Sequence, residues 1–79
     1  MSGAQLQRAE RSVTVGVGEV VTIGAKRLPD GRMLVEFEAL VIRDGVVIAR
    51  GPLYDVPVNA GRKLARALGA LLSELGVAL

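Results

Sequence analysis

Apolar and polar positions alternate through most of the chain, and the period changes near residue 59. Val13, Val15 and Val17 alternate with Thr14, Gly16 and Gly18, and Val21, Ile23 and Ala25 repeat the pattern after Glu19, the period-2 signature of half-buried strands. The two runs predict either two short strands joined by a turn at 16–19 or one long strand bent at a glycine bulge. Val-Gly-Glu-Val has weak turn chemistry, which favours the single bent strand. Leu28-Pro29-Asp30-Gly31-Arg32 is a stronger turn, because proline presets its backbone angle and Asp-Gly accepts positive φ. Beyond it, Met33, Val35, Phe37, Ala39 and Val41 line one face of a strand over 32–42, and the opposite face reads Arg32, Leu34, Glu36, Glu38, Leu40, Ile42. Arg43-Asp44-Gly45 predicts a second hairpin turn, 46–50 returns as a short strand, and Gly51-Pro52 interrupts the sheet. Residues 53–58 read as one more short extended segment, with Pro57 at an edge or at the strand's end.

From Asn59 the period becomes 3.6. Leu64, Leu68, Leu71 and Leu75 fall on one helical face, Ala65 and Leu72 widen it, Asn59 is the expected N-cap and Gly76 the expected stop. The predicted fold is α+β, a three- or four-stranded antiparallel meander followed by one C-terminal amphipathic helix of about four turns. Residues 1–9 are polar and aperiodic and predict an N-terminal arm ahead of a single domain over 10–79. One helix covers one face of a sheet. Leu34, Leu40 and Ile42 lie opposite Val35, Phe37 and Val41, so both faces carry apolar groups, and a homodimer or higher oligomer is expected to cover the second. Phe37 is expected in the hydrophobic centre of the longest strand.

Composition narrows the chemistry. The chain has 79 residues, 51% of them hydrophobic and 23% charged, with no cysteine and no histidine. A packed domain is favoured over a disordered tail, while disulfides, zinc fingers, iron–sulfur clusters and Cys/His nucleophiles are removed from consideration. No cofactor is expected. Residues 1–4 have neither the basic region nor the apolar run of a secretion signal, and no stretch reaches the roughly 20 apolar residues of a membrane span. The expectation is a cytoplasmic protein with no membrane partner. Glu36 and Glu38 stand about 6.7 Å apart on one strand face, a spacing compatible with acid/base chemistry. Without a histidine, cysteine or phosphate loop nearby they read instead as the solvated middle of the outer face, answering arginines across the strands. The glycines of Val-Gly-Val-Gly-Glu sit in strand surroundings and do not form a dinucleotide fingerprint. No enzyme is expected.

Ten Lys and Arg against eight Asp and Glu give a net charge of +2, a mild bias whose effect depends on clustering. Arg62, Lys63 and Arg66 crowd the first turns of the helix, where the macrodipole is already positive and acids would be preferred. Such an arrangement suits an anionic group such as phosphate, or an acidic patch on a partner. Arg27 and Arg32 flank one turn, while Arg43 and Arg50 bracket the short strand. Eight of the ten cations are arginine, which fits bidentate phosphate contacts as well as surface salt bridging.

The run from Asp44 through Gly51-Pro52-Leu53-Tyr54-Asp55-Val56-Pro57-Val58 into a leucine-rich helix resembles the last strand and helix of the small transcriptional-coactivator family of single-stranded-DNA-binding proteins. The resemblance spans about residues 20 to 75. It implies a homodimer holding unpaired DNA against basic strands, with Lys26, Arg27, Arg32 and Arg43 as the counterparts of its phosphate-contacting groups. Two partner classes follow for this chain beyond itself: single-stranded nucleic acid, bound by those four residues together with Arg62, Lys63 and Arg66, or another protein, bound by a structural or adaptor molecule.

Overall fold

The computed structural model describes residues 7–53 and 55–77. Four strands, β1 (Arg8–Gly16), β2 (Glu19–Arg27), β3 (Met33–Arg43) and β4 (Val46–Pro52), precede one helix, α1 (Val58–Glu74). The strands form a single antiparallel sheet in the order β1-β2-β3-β4. The α+β meander with a C-terminal helix is therefore the observed architecture, with four strands. β1 begins at Arg8, so two residues assigned to the arm belong to the sheet, and residues 1–6 lie outside the described residues.

Val17 and Gly18 separate β1 from β2, which corrects the expectation of one bent strand. The reason is tertiary. Gly18 has φ 67° and its carbonyl accepts the Ile42 N–H at 2.7 Å; a Cβ there would stand 2.7 Å from the Ile42 carbonyl oxygen. Only glycine fits, and the turn is held by a strand distant in sequence. The other two turns follow their local chemistry. Gly31 takes φ 90° while Asp30 accepts from the Arg32 N–H (3.0 Å), and Asp44 (φ 52°) with Gly45 (φ 76°) makes the two-residue hairpin connection with both φ positive.

The strand pairing Val13↔Val21, Arg11↔Ile23 and Ala25↔Val35 puts the odd-numbered side chains of β1 to β3 on the face that α1 occupies. Val21, Ile23 and Ala25 of β2 are buried against Leu64, Leu71 and Leu75, each large side chain contributing about 1.5–3 kcal/mol by leaving water. Ala65, expected to widen the helical stripe, is exposed, while Leu68 and Leu72 are half-buried at its margins. The α1 backbone lies over β1 and β2 and over neither β3 nor β4. Phe37 is half-buried on β3 at the border of this core, less enclosed than its central place in the strand suggested.

Residues 53 and 55–57 form no strand, correcting the extended segment expected over 53–58. Leu53 and Val56 instead pack on the core as the chain crosses from β4 to the helix. The helix starts directly after Pro57, without a side-chain cap, and this places Asn59 inside the first turn rather than at the N-cap. Proline's fixed φ and the extended backbone before it suit that start. At the other end Gly76 (φ 81°) donates to the Ser73 carbonyl (3.0 Å) and Val77 to that of Leu72 (2.9 Å). These paired bonds make the glycine stop the sequence predicts.

Candidate functional site

Arg62, Lys63 and Arg66 project from α1 on the side away from Ala60 and Leu64, and all three are exposed. Arg66 is one helical turn from both of the others, so the three charges form a compact patch. The first turn contains no acid. Among the described residues the ion pairs are Arg11–Glu74 (3.1 Å), Arg32–Asp30 (2.6 Å) and Arg50–Glu38 (3.8 Å), and none neutralises this patch. Lys63 and Arg66 also flank a shallow depression shared with Ser12, Val13 and Thr14 of β1 and with Ala67 and Ala70. β1 contributes its main chain and Val13 to this trough, because Ser12 and Thr14 turn their hydroxyls to the outer face, where Ser12 Oγ meets Thr22 Oγ1 at 3.5 Å.

The other four predicted residues separate. Lys26 is exposed on the outer face, in line with Arg8 and Leu34. Arg27 points to the helix side, where its Nη2 donates to the Leu75 carbonyl at 2.5 Å and its buried Nε has no partner among the described residues. A cation at a helix C-terminus is favoured by the dipole, so Arg27 serves the fold directly. Arg32 holds Asp30 across the β2–β3 turn. Arg43 closes β3 at its far end, about 36 Å from Arg32 by strand rise. These four do not converge on one surface.

Between them the outer face is acidic. A hollow over Gly24 is lined by Glu10, Thr22, Glu36, Glu38, Gly51 and Pro52, so a third carboxylate from β1 joins the pair read from β3. Arg50 answers Glu38 across the β3–β4 ladder, as expected for a solvated sheet centre. Among the described residues no cluster of three or more acid, histidine or cysteine side chains has the arrangement of a metal site, and no helix is long and apolar enough to cross a membrane. The trough beside β1, the Arg11–Glu74 pair and the Arg27 latch were not foreseen, since each depends on which strands the helix crosses.

Compared with known proteins, the chain matches no family model, no curated protein and no solved structure.

Proposed function

We propose that this protein is a non-enzymatic, self-associating module that binds the phosphate backbone of single-stranded nucleic acid. The observation that supports this reading is the exposed patch of Arg62, Lys63 and Arg66 at the positive end of α1, which no ion pair among the described residues neutralises. Arginine and lysine on a rigid helix supply phosphate contacts without base reading. The acidic middle of the outer face disfavours phosphate there, so the contact surface is the helix and the β1 edge.

The test is a polarisation titration of single-stranded DNA, single-stranded RNA and duplex DNA at two salt concentrations. Replacing Arg62, Lys63 and Arg66 with glutamine is expected to weaken binding across sequences and lower the salt slope by up to ~0.7 per lost contact on a single strand. Folding survives, because the change removes cations from the positive end of the dipole. Unchanged affinity and slope would remove the patch from the site. Lys26→Gln, Arg32→Gln and Arg43→Gln then decide whether the sheet ends bind instead.

A protein-binding adaptor is the second reading. Glu10, Glu36 and Glu38 beside exposed Leu34 form a mixed acidic and apolar face, which suits a basic protein surface better than a phosphate chain. Absence of nucleic-acid binding by the unmodified protein would favour it.

A further inference from the structure

Among the described residues β1 pairs only with β2, and its other side is a free strand edge running beside α1. The Arg27 N–H donates to the Gln7 carbonyl at 2.7 Å. Ala9↔Ala25, Arg11↔Ile23 and Val13↔Val21 continue that register, so the odd-numbered residues of β1 turn their main-chain groups toward β2. Successive residues of a strand point these groups to opposite sides. The N–H and C=O of Arg8, Glu10, Ser12 and Thr14 therefore face away from the sheet, an alternating row of donors and acceptors that another extended main chain matches in full.

The helix decides what that chain carries. Lys63, Arg66, Ala67 and Ala70 form the helical wall of the trough along this edge. The two alanines leave room for the side chains of an added strand, and the two exposed cations stand at their margin. Glu74, farther along α1, is held by Arg11 at 3.1 Å, and none of the described ion pairs engages Lys63 or Arg66. Charge complementarity thus calls for carboxylates on the helix side of the added strand. The outer side calls for none, because Glu10 shares that face with Glu36 and Glu38 and an acid there would meet like charge. Acid at every second position is the pattern both sides accept. A phosphodiester backbone supplies the charge but has no donors for the β1 carbonyls.

We infer that an extended peptide with acidic residues at alternate positions adds to β1 as a fifth strand, and that by engaging Lys63 and Arg66 it displaces nucleic acid from the helix patch. The strand addition goes beyond the function proposed above; only the displacement rests on that reading.

The probe is a short fluorescent peptide alternating glutamate with threonine, titrated into the full chain and read by polarisation. The native chain binds it and does not bind the same peptide with lysine in place of glutamate. Replacing both cations, Lys63→Gln with Arg66→Gln, weakens binding about fivefold, in keeping with the modest strength of exposed ion pairs. Ser12→Pro removes one outward N–H, breaks no bond to β2 and sets its ring on the edge, so peptide binding is lost while the sheet's circular dichroism is kept. Amide exchange on the native chain stands even where the proline variant fails to fold: saturating peptide slows exchange at Glu10, Ser12 and Thr14. No binding by the native chain, undiminished binding by the double glutamine variant, or unslowed exchange at those three amides overturns the inference. Added peptide also releases single-stranded DNA from the native chain, and simultaneous binding of both overturns the displacement. The two readings fail separately. DNA binding without peptide binding defeats only the strand addition, and peptide binding with protected β1 amides but no DNA binding defeats only the nucleic-acid reading.

Discussion

The half of the molecule built from β1, β2 and α1 differs sharply from the half built from β3 and β4. Every buried hydrophobic residue among the described ones, Val21, Ile23, Ala25, Ala60, Leu64, Leu71 and Leu75, belongs to β2, to α1 or to the helix cap. Of the seven large hydrophobics left in solvent among the described residues, five, Leu34, Val41, Val46, Val47 and Ile48, belong to β3 and β4, while Val17 at the β1–β2 turn and Val58 at the helix start are the other two. Both halves are comparably apolar in sequence. What separates them is the path of a single helix, which is too narrow for four strands and settles over the first two. Burial is therefore concentrated on one side, and most of the exposed apolar surface on the other.

The contrast breaks most visibly at Ile23. Ile23→Ala empties a fully buried site under the helix and is expected to cost about 2–5 kcal/mol, enough to unfold much of a domain this small; a denaturant titration reads it directly. Phe37→Ala sharpens the boundary. A half-buried ring on β3 is expected to cost about 2 kcal/mol, below the 3–5 of an enclosed aromatic, and a loss as large as that of Ile23 would extend the core into the second half. Arg27→Ala removes the donor to the Leu75 carbonyl, with an expected loss of about 1 kcal/mol. Faster amide exchange should then appear in the last helical turn. At the far end of the scale, Ile48→Thr, at a half-exposed site outside the helix-covered core, is expected to change stability in the same denaturant titration by no more than about 0.5 kcal/mol, the reverse of the Ile23 result.

The strands and the helix were legible because alternation and the leucine repeat are local properties, and so were the turns at Asp30-Gly31 and Asp44-Gly45. Val17-Gly18 was not, because glycine is required there by the Ile42 carbonyl rather than by turn chemistry. Residues 53–58 mimic a strand by alternating apolar side chains, yet the segment spends Leu53 and Val56 on the core while crossing to the helix. The cations at 62, 63 and 66 were legible as a cluster from helical spacing. That Lys63 and Arg66 border the β1 main chain around Val13 was not, since about fifty residues intervene and only the crossing of α1 over β1 joins them. The wide separation of Arg32 and Arg43 follows from counting residues along β3, whereas the latch formed by Arg27 depends on where the helix ends.

The order of the strands in space repeats their order in the chain, and this has a kinetic consequence. Each hairpin joins neighbours in sequence, so the ladders form through short loop closures and at low contact order. The cover arrives last: Arg27 and Leu75, which meet at the helix end, are 48 residues apart. A growing polypeptide can thus assemble its sheet before residues 58–74 have been synthesised, with Val21 and Ile23 open to water until α1 docks. During that interval β2 presents the same kind of sticky surface that β4 keeps permanently, and the speed of helix docking sets how long the nascent chain is exposed to misassembly.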